Sequence, residues 1–193
     1  MSKLVLATSN QGKLREFEDY FRDFPLTIAL KPSNLEVEET GTSFRDNAIL
    51  KATQVASALG EWALADDSGL MVDGLGGAPG IYSARYAPTP QQCIERVLKE
   101  LEGESRRRAQ FVCAVAVASG DGELVLFAEG ICEGEILTEL RGNDGFGYDP
   151  IFFVPEYDQT FAEMSRDLKN KISHRGLALA KILPELKALI KLS

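Results

Sequence analysis

The chain has 193 residues, 45% of them hydrophobic, which is enough for one sizeable core or two closely joined lobes but not for several independent domains. Its net charge of −8 argues against long nucleic acid as a partner, because proteins that bind it usually carry a basic stripe. A small phosphate ligand is compatible with this charge, since it needs only a local basic pocket and acidic residues can hold the Mg²⁺ that accompanies it.

The N-terminal segment predicts a strand, a polar loop and a helix. Leu4–Ala7 has the apolar run of a buried strand, and Thr8–Lys13 is a polar loop that contains one glycine. The helix is expected over about 13–24, where apolar residues recur at helical spacing, and Pro25 ends it. A second short strand is expected at 26–30.

A second helix is expected between Ser43 and Gly60, after a polar, acidic loop at 32–42. Ser43 is a residue type that caps helix N-termini, and Gly60 stands where helices commonly end. Asn47 and Lys51 lie one turn apart, on a different face from the apolar residues.

A third strand is expected at 62–65, and it leads directly into Asp66-Asp67-Ser68-Gly69 at its carboxyl end. Leu70–Val72 is a candidate for its continuation. Ligands of α/β proteins bind beyond the carboxyl ends of strands, so these two carboxylates are candidate Mg²⁺ ligands. An ordinary turn explains the same four residues equally well.

The middle of the chain predicts a helix, a hairpin and a glycine-rich loop. The helix is expected at 90–101, and an Asp-Gly pair predicts an antiparallel hairpin of strands at 111–118 and 124–132. The loop from Gly142 to Pro150 combines aromatic residues with carboxylates, which suits recognition of a nucleotide base. An ordinary turn with Phe146 in the core is the alternative.

A last helix is expected to start after Ser173 and to reach about Leu192, with Pro184 kinking it or dividing it in two. A basic group precedes and begins this helix: Lys169, Lys171, His174 and Arg175. The helix dipole disfavours cations at an N-terminus, so we expect this group to face an anion. The alternative is a structural or exposed histidine.

This order of elements predicts an α/β fold with a mixed sheet. No linker rich in Pro, Gly and Ser divides the chain, so we predict one domain over residues 1–193. The three widely spaced cysteines, without a CxxC motif, favour a reducing, cytoplasmic location. We expect neither a signal peptide nor a membrane span, because the apolar runs are too short.

Lys13 is a candidate phosphate ligand. A passage from strand through loop to helix brings backbone N–H groups and the positive end of the helix to the loop, which suits a phosphate. The segment is not a Walker A motif, because that motif needs Ser or Thr after the lysine and Leu14 follows here. An ordinary strand-to-helix turn is the alternative.

Six segments, in this order, together resemble the inosine triphosphate pyrophosphatase family in its bacterial or archaeal XTP/dITP form. The segments are Thr8–Lys13, Glu38–Gly41, Ala65–Leu70, Gly76–Tyr86, Phe146–Phe152 and Ser173–Gly176. The resemblance extends from Leu4 to about Leu183. Each segment alone is a weak signal, whereas six in order are highly specific.

This resemblance implies a long, curved mixed sheet flanked by helices, two lobes with a substrate cleft between them, and a homodimer. It implies Mg²⁺-dependent hydrolysis of ITP, dITP and XTP to the monophosphate and pyrophosphate. Asp67 would accept the proton of the attacking water and bind Mg²⁺ with Glu38, or with Glu39 as the alternative. Substrate contacts are implied for Thr8, Ser9, Asn10, Gln11, Gly12, Lys13, Ser68, Phe146, Gly147, Tyr148, Asp149, Lys169, His174 and Arg175.

Other functions fit parts of the same pattern. A general nucleotide phosphatase, or a pyrophosphatase for modified pyrimidine nucleotides, would keep the metal site and change the base pocket. A non-catalytic purine nucleotide-binding module is a further alternative, although binding a polyanion does not need so many carboxylates nearby. The net charge disfavours a nucleic-acid-binding protein.

Overall fold

The computed structural model describes residues 3–191, in which strands and helices alternate along the first third of the chain. The strands are β1 (Lys3–Leu6), β2 (Thr27–Leu30), β3 (Ala63–Val72), β4 (Arg108–Ala118), β5 (Leu124–Ile136), β6 (Phe152–Val154) and β7 (Gln159–Thr160). The helices are α1 (Gln11–Phe21), α2 (Phe44–Leu59), α3 (Pro90–Glu100), α4 (Arg166–Ile172) and α5 (His174–Lys191).

The strands form one mixed sheet in the order β2-β1-β3-β4-β5-β6-β7. Strand β1 is parallel to both of its neighbours, pairing Leu6 with Leu30 of β2 and with Leu64 of β3. Strand β6 is antiparallel to β5 and to β7. The predicted α/β class with a mixed sheet is therefore confirmed.

The chain divides into two compact units. Unit 1 comprises the chain up to Asp67, Cys113–Gly130 and the chain from Arg175, whereas unit 2 comprises Ser68–Val112 and Ile131–His174. Three separate stretches of sequence therefore build unit 1, and two build unit 2.

Each unit has its own apolar core. In unit 1, residues of β1 and α1 pack with residues of α5, among them Leu4, Phe17 and Leu179. In unit 2, Phe111 contacts the rings of Phe152 and Phe161, with centroid distances of 4.6 and 5.6 Å. These cores support the polar groups described below.

Helix α1 begins at Gln11, earlier than predicted, because Asn10 is its N-cap. The Asn10 side chain accepts hydrogen bonds from the backbone N–H groups of Gly12 and Lys13, at 2.8 and 3.2 Å. The helix ends at Phe21, before Pro25 is reached. The latter half of the predicted polar loop is therefore the first turn of a helix.

The alternative of an ordinary turn at Asp66-Asp67-Ser68-Gly69 is wrong, because these residues lie inside β3, which extends beyond the predicted strand at 62–65 and includes its candidate continuation at Leu70–Val72. Both aspartates are buried, and ion pairs compensate their charges there. The two carboxylates were expected at the carboxyl end of this strand, which instead continues to Val72. Pairing of β1 with β3 stops at Leu64, so both carboxylates lie beyond the carboxyl end of β1.

Most remaining elements match their predictions, and the terminal region differs. Helix α2 has its N-cap at Ser43 and its C-cap at Gly60, as predicted. Helix α4 was not predicted, and it places Lys169 and Lys171 in its last turn, where the helix dipole favours cations. Contrary to the prediction, the helix dipole therefore does not disfavour these two lysines.

Helix α5 is one helix, and Pro184 does not divide it into two. Its predicted end at Leu192 lies outside the described residues. Within residues 3–191, no helix is both long and apolar enough to cross a membrane.

Candidate active site

The N-terminus of α1 holds the predicted phosphate-binding segment. Thr8 Oγ1 accepts a hydrogen bond from the N–H of Asn10, at 3.1 Å, which fixes the approach to the helix. Ser9, Asn10 and Gln11 are exposed. The first turn thus combines exposed polar groups with the positive end of the helix dipole, which favours an anion.

Lys13 projects from this first turn to Asp66 on β3. Its ammonium lies 2.9 Å from Asp66 Oδ2. The guanidinium of Arg175, near the start of α5, donates to the same oxygen at 2.8 and 3.3 Å, and also contacts Glu16 of α1. Arg175 is only 2% exposed, so this predicted substrate ligand is buried among carboxylates of unit 1.

Lys51 of α2 joins two of the predicted acidic residues. Its ammonium lies 2.7 Å from Glu39 Oε1 and 3.0 Å from Asp67 Oδ1. Glu39 is half-buried, whereas Glu38 is exposed. The fold therefore brings Glu39, rather than Glu38, to the same cation as Asp67.

Asn47 lies one helical turn before Lys51 and is completely buried. Its side-chain amide donates to Asp67 Oδ2 at 3.3 Å and accepts from the backbone N–H of Gly41 at 2.8 Å. A Cβ at Gly41 would lie 2.6 Å from the Asn47 Oδ1 atom, so only glycine allows this approach. Asn47 thereby fixes the end of the acidic loop next to Asp67.

The two adjacent aspartates differ in their proton affinity. Burial disfavours ionisation of Asp66, but Lys13 and Arg175 outweigh it and hold the pKa of Asp66 well below its usual range. Burial raises the pKa of Asp67 above its usual value, although Lys51 opposes this change. Asp67 is therefore the more basic carboxylate, which is the property that a proton acceptor needs.

Burial lowers the pKa of Lys51, but the charges of Asp67, Asp66 and Glu39 outweigh burial, and the pKa ends above its usual value. Lys51 is therefore a permanent cation at neutral pH. Its charge compensates the two carboxylates that flank it.

In unit 2, the predicted base-recognition loop is organised around Asp149. Its Oδ2 atom accepts hydrogen bonds from the Phe146 N–H, at 2.8 Å, and from the Lys169 ammonium, at 2.7 Å. The same ammonium lies 5.1 Å from the centroid of the Phe146 ring. A positive φ of 79° at Gly145 allows the loop to turn, and an added Cβ there would collide with the Asp149 carboxylate.

His174 packs against the aromatic core of unit 2. Its ring stacks on Phe111 with a centroid distance of 4.6 Å and an interplanar angle of 11°. Tyr148 is also buried, and its hydroxyl donates to the carbonyl oxygen of Ser83 at 2.9 Å. The tyrosine therefore anchors the loop, while Gly147 supplies a left-handed conformation with φ of 59°.

The predicted residues thus fall into two groups. Thr8–Lys13, Glu39, Asp67 and Arg175 belong to unit 1, and Phe146–Asp149, Lys169 and His174 belong to unit 2. Ser68 follows Asp67 on β3 and is half-buried.

Sequence reasoning did not assign Glu16, Asn47 or Lys51 to a site. For Asn47 and Lys51 a signal existed, because these two polar residues lie one turn apart and each is followed by an apolar residue of the core face, Ala48 and Ala52. For Glu16 no local signal existed, since its partner Arg175 is remote in sequence.

Known proteins resemble this chain in sequence and in fold. The model of the Ham1 family matches residues 4–185. The chain is 57% identical to a dITP/XTP pyrophosphatase from Nostoc sp., over 98% of this chain and 97% of that protein. It is 53% identical to a protein of the same name from Synechocystis sp., over 95% of this chain and 94% of that protein. A solved HAM1 protein from Coxiella burnetii is 41% identical, with a TM-score of 0.86 and complete coverage of both chains.

Proposed function

This chain belongs to the Ham1 family, and we propose that it hydrolyses the deaminated purine nucleotides ITP, dITP and XTP to the monophosphate and pyrophosphate, with Mg²⁺. Membership confirms the resemblance noted from six sequence segments. The coarser assignment, an enzyme of the nucleoside triphosphate pyrophosphatase type, follows from relatives of that name at 57% and 53% identity. The observation that supports this chemistry is the environment of Asp67, which is buried beside Lys51 and has a raised pKa.

The carboxylates of unit 1 fit a magnesium ion that the substrate helps to hold. Within residues 3–191, no group of three or more His, Cys, Asp and Glu side chains could hold a metal ion. Oxygen atoms of Glu39 and Asp67 nevertheless both contact the ammonium of Lys51, so the two carboxylates already converge on one cation. Two carboxylates with phosphate oxygens and waters suffice for Mg²⁺. Bound there, Mg²⁺ would neutralise charge on the triphosphate.

The hydrolysis needs one proton acceptor and one source of positive charge from the chain. Asp67 accepts a proton from the attacking water while the water oxygen bonds to the α-phosphorus. The bond between the α-phosphorus and the bridging oxygen breaks, and pyrophosphate leaves with that oxygen. Lys13 and the N-terminus of α1 bind the triphosphate and stabilise its charge.

Groups of unit 2 would select the base. Phe146 offers an aromatic face for stacking, and His174 with the N–H groups of Gly147 and Tyr148 would supply donors. The N–H groups of Phe146 and Asp149 already donate within the loop. Donors that face the 6-oxo group of hypoxanthine or xanthine would stay unpaired opposite the 6-amino group of ATP, which disfavours adenine. Guanine shares the 6-oxo group, so this contact alone does not reject GTP.

Product analysis tests the proposal. The purified protein is incubated with Mg²⁺ and, separately, ITP, XTP, GTP and ATP, and both pyrophosphate and orthophosphate are measured. We expect pyrophosphate with IMP or XMP, and little product from ATP or GTP. Orthophosphate from all four nucleotides would identify a general phosphatase, and binding without turnover would identify a nucleotide-binding module.

A further inference from the structure

Four charged side chains of unit 1 form a continuous set of ion pairs. Glu16 contacts Arg175, Arg175 donates to Asp66 Oδ2 at 2.8 Å, and Lys13 lies 2.9 Å from that same oxygen. The four side chains are between 0% and 16% exposed. They connect α1, β3 and α5.

The guanidinium of Arg175 forms ion pairs with two carboxylates. Its Nε and Nη2 atoms donate to Asp66 and its Nη1 atom donates to Glu16, so these three contacts hold the guanidinium in one orientation. Lys13 differs from Arg175 in its position, because it belongs to the first turn of α1, where the helix dipole already favours an anion.

We propose that Glu16, Arg175 and Asp66 are positioning residues that act on the substrate through Lys13. The proposal rests on the proposed function, in which Lys13 binds the triphosphate. It gives Arg175, for which the family resemblance implies a substrate contact, a positioning role as well.

The physical reason is the division of one carboxylate between two cations. Asp66 alone would hold Lys13 as a neutral ion pair with little attraction left for a phosphate. Arg175 shares the same Oδ2 atom, so Lys13 keeps a fixed position and retains attraction for an anion. Glu16 in turn orients the planar guanidinium, whose fork reaches both carboxylates at once.

The test is a double-mutant cycle between Glu16 and Lys13. Glu16→Gln keeps the shape and hydrogen-bonding capacity of the side chain and removes its charge. Glu18→Gln is the matched control, since Glu18 is an exposed glutamate on the same helix. Binding of inorganic tripolyphosphate is measured by calorimetry with EDTA present, and KM and kcat for ITP are measured with Mg²⁺.

We expect Glu16→Gln to raise the Kd for tripolyphosphate and the KM for ITP by roughly three- to tenfold, with a smaller effect on kcat. Charge counting alone predicts the opposite sign, because the substitution removes a negative charge near an anion site. In the Lys13→Ala background, Glu16→Gln should have no further effect, since the group through which it acts is gone. Glu18→Gln should behave like the wild type.

An equal effect of Glu16→Gln in both backgrounds, or no effect in either, would overturn the inference. Arg175→Lys provides a second variant, because it keeps the charge and loses the fork; thermal unfolding verifies that each variant is folded. The inference and the proposed function can fail separately. Release of pyrophosphate from ITP without Glu16–Lys13 coupling would overturn only the inference, whereas coupling in tripolyphosphate binding without hydrolysis would overturn only the function.

Discussion

The adjacent residues Asp66 and Asp67 have separate tasks because successive side chains of a strand point to opposite faces. One face of β3 presents Asp66 to Lys13 and Arg175, and the other presents Asp67 to Asn47 and Lys51. The sequence identified both acids as candidate Mg²⁺ ligands. It could not separate their roles, since the difference in pKa arises from neighbours remote in the chain.

The same limit applies to the choice between Glu38 and Glu39. Both stand in one acidic loop, and the sequence favoured Glu38. We expect Glu39→Gln to raise the Mg²⁺ concentration for half-maximal activity by about tenfold or more, because a carboxylate ligand is lost. Glu38→Gln is the matched control and should leave that concentration nearly unchanged, since Glu38 is exposed.

Mn²⁺ binding measured by electron paramagnetic resonance provides a readout without turnover for the same two variants. Weaker binding in Glu38→Gln, with Glu39→Gln unaffected, would contradict the assignment to Glu39 and restore the sequence-based choice.

At the scale of elements, side-chain contacts from the helices to β3 fix the positions of the candidate site residues. Helix α2 supplies Asn47 and Lys51 at a spacing of four residues, so both reach β3 from one face. Helices α1 and α5 meet at Asp66 through Lys13 and Arg175. The helical pattern was predictable, whereas the strand around Asp66 was not, because buried acids contradict the usual composition of a strand.

Asp66 should make the stability of the chain sensitive to acid. Its folded pKa is below the ordinary value of 3.8, so the unfolded state binds the proton more readily. The stabilisation is therefore complete above pH 3.8 and is lost as the pH falls toward the folded value. Denaturant unfolding in EDTA at several pH values measures this dependence.

In the same experiment, Asp66→Asn should lower the free energy of unfolding at pH 7, and the difference from the wild type should shrink below pH 3.8. Asp23→Asn removes an exposed carboxylate of the same unit and should follow the wild-type curve. A difference between Asp66→Asn and the wild type that is independent of pH would refute the assignment.

At the scale of the whole molecule, unit 1 depends on residues from both ends of the chain. Leu179 of α5 is fully buried in the core that also contains Leu4 and Phe17. The sequence predicted a helix that starts after Ser173 but not its place in this core. The homodimer and the magnesium requirement stay predictions from family resemblance.

Leu179→Ala should lower the free energy of unfolding by about 2–5 kcal/mol, because the side chain is fully buried and its loss leaves a cavity. Leu177→Ala, on the same helix and 37% exposed, should change it by less than about 1 kcal/mol. Chemical denaturation of both variants compares them directly. Equal, small effects would show that α5 does not complete the core of unit 1.

The sequence by itself determined the α/β class, most helices and strands, and the residues that connect the chain to its family, because periodicity, caps and short motifs are local. Only the tertiary structure decided that Glu39 shares Lys51 with Asp67, that Asp66 lies inside a strand, and that Arg175 is buried on Glu16. Each of these outcomes depends on burial and on charges from residues far apart in sequence. Those quantities exist only once the chain has brought β3, α1, α2 and α5 together.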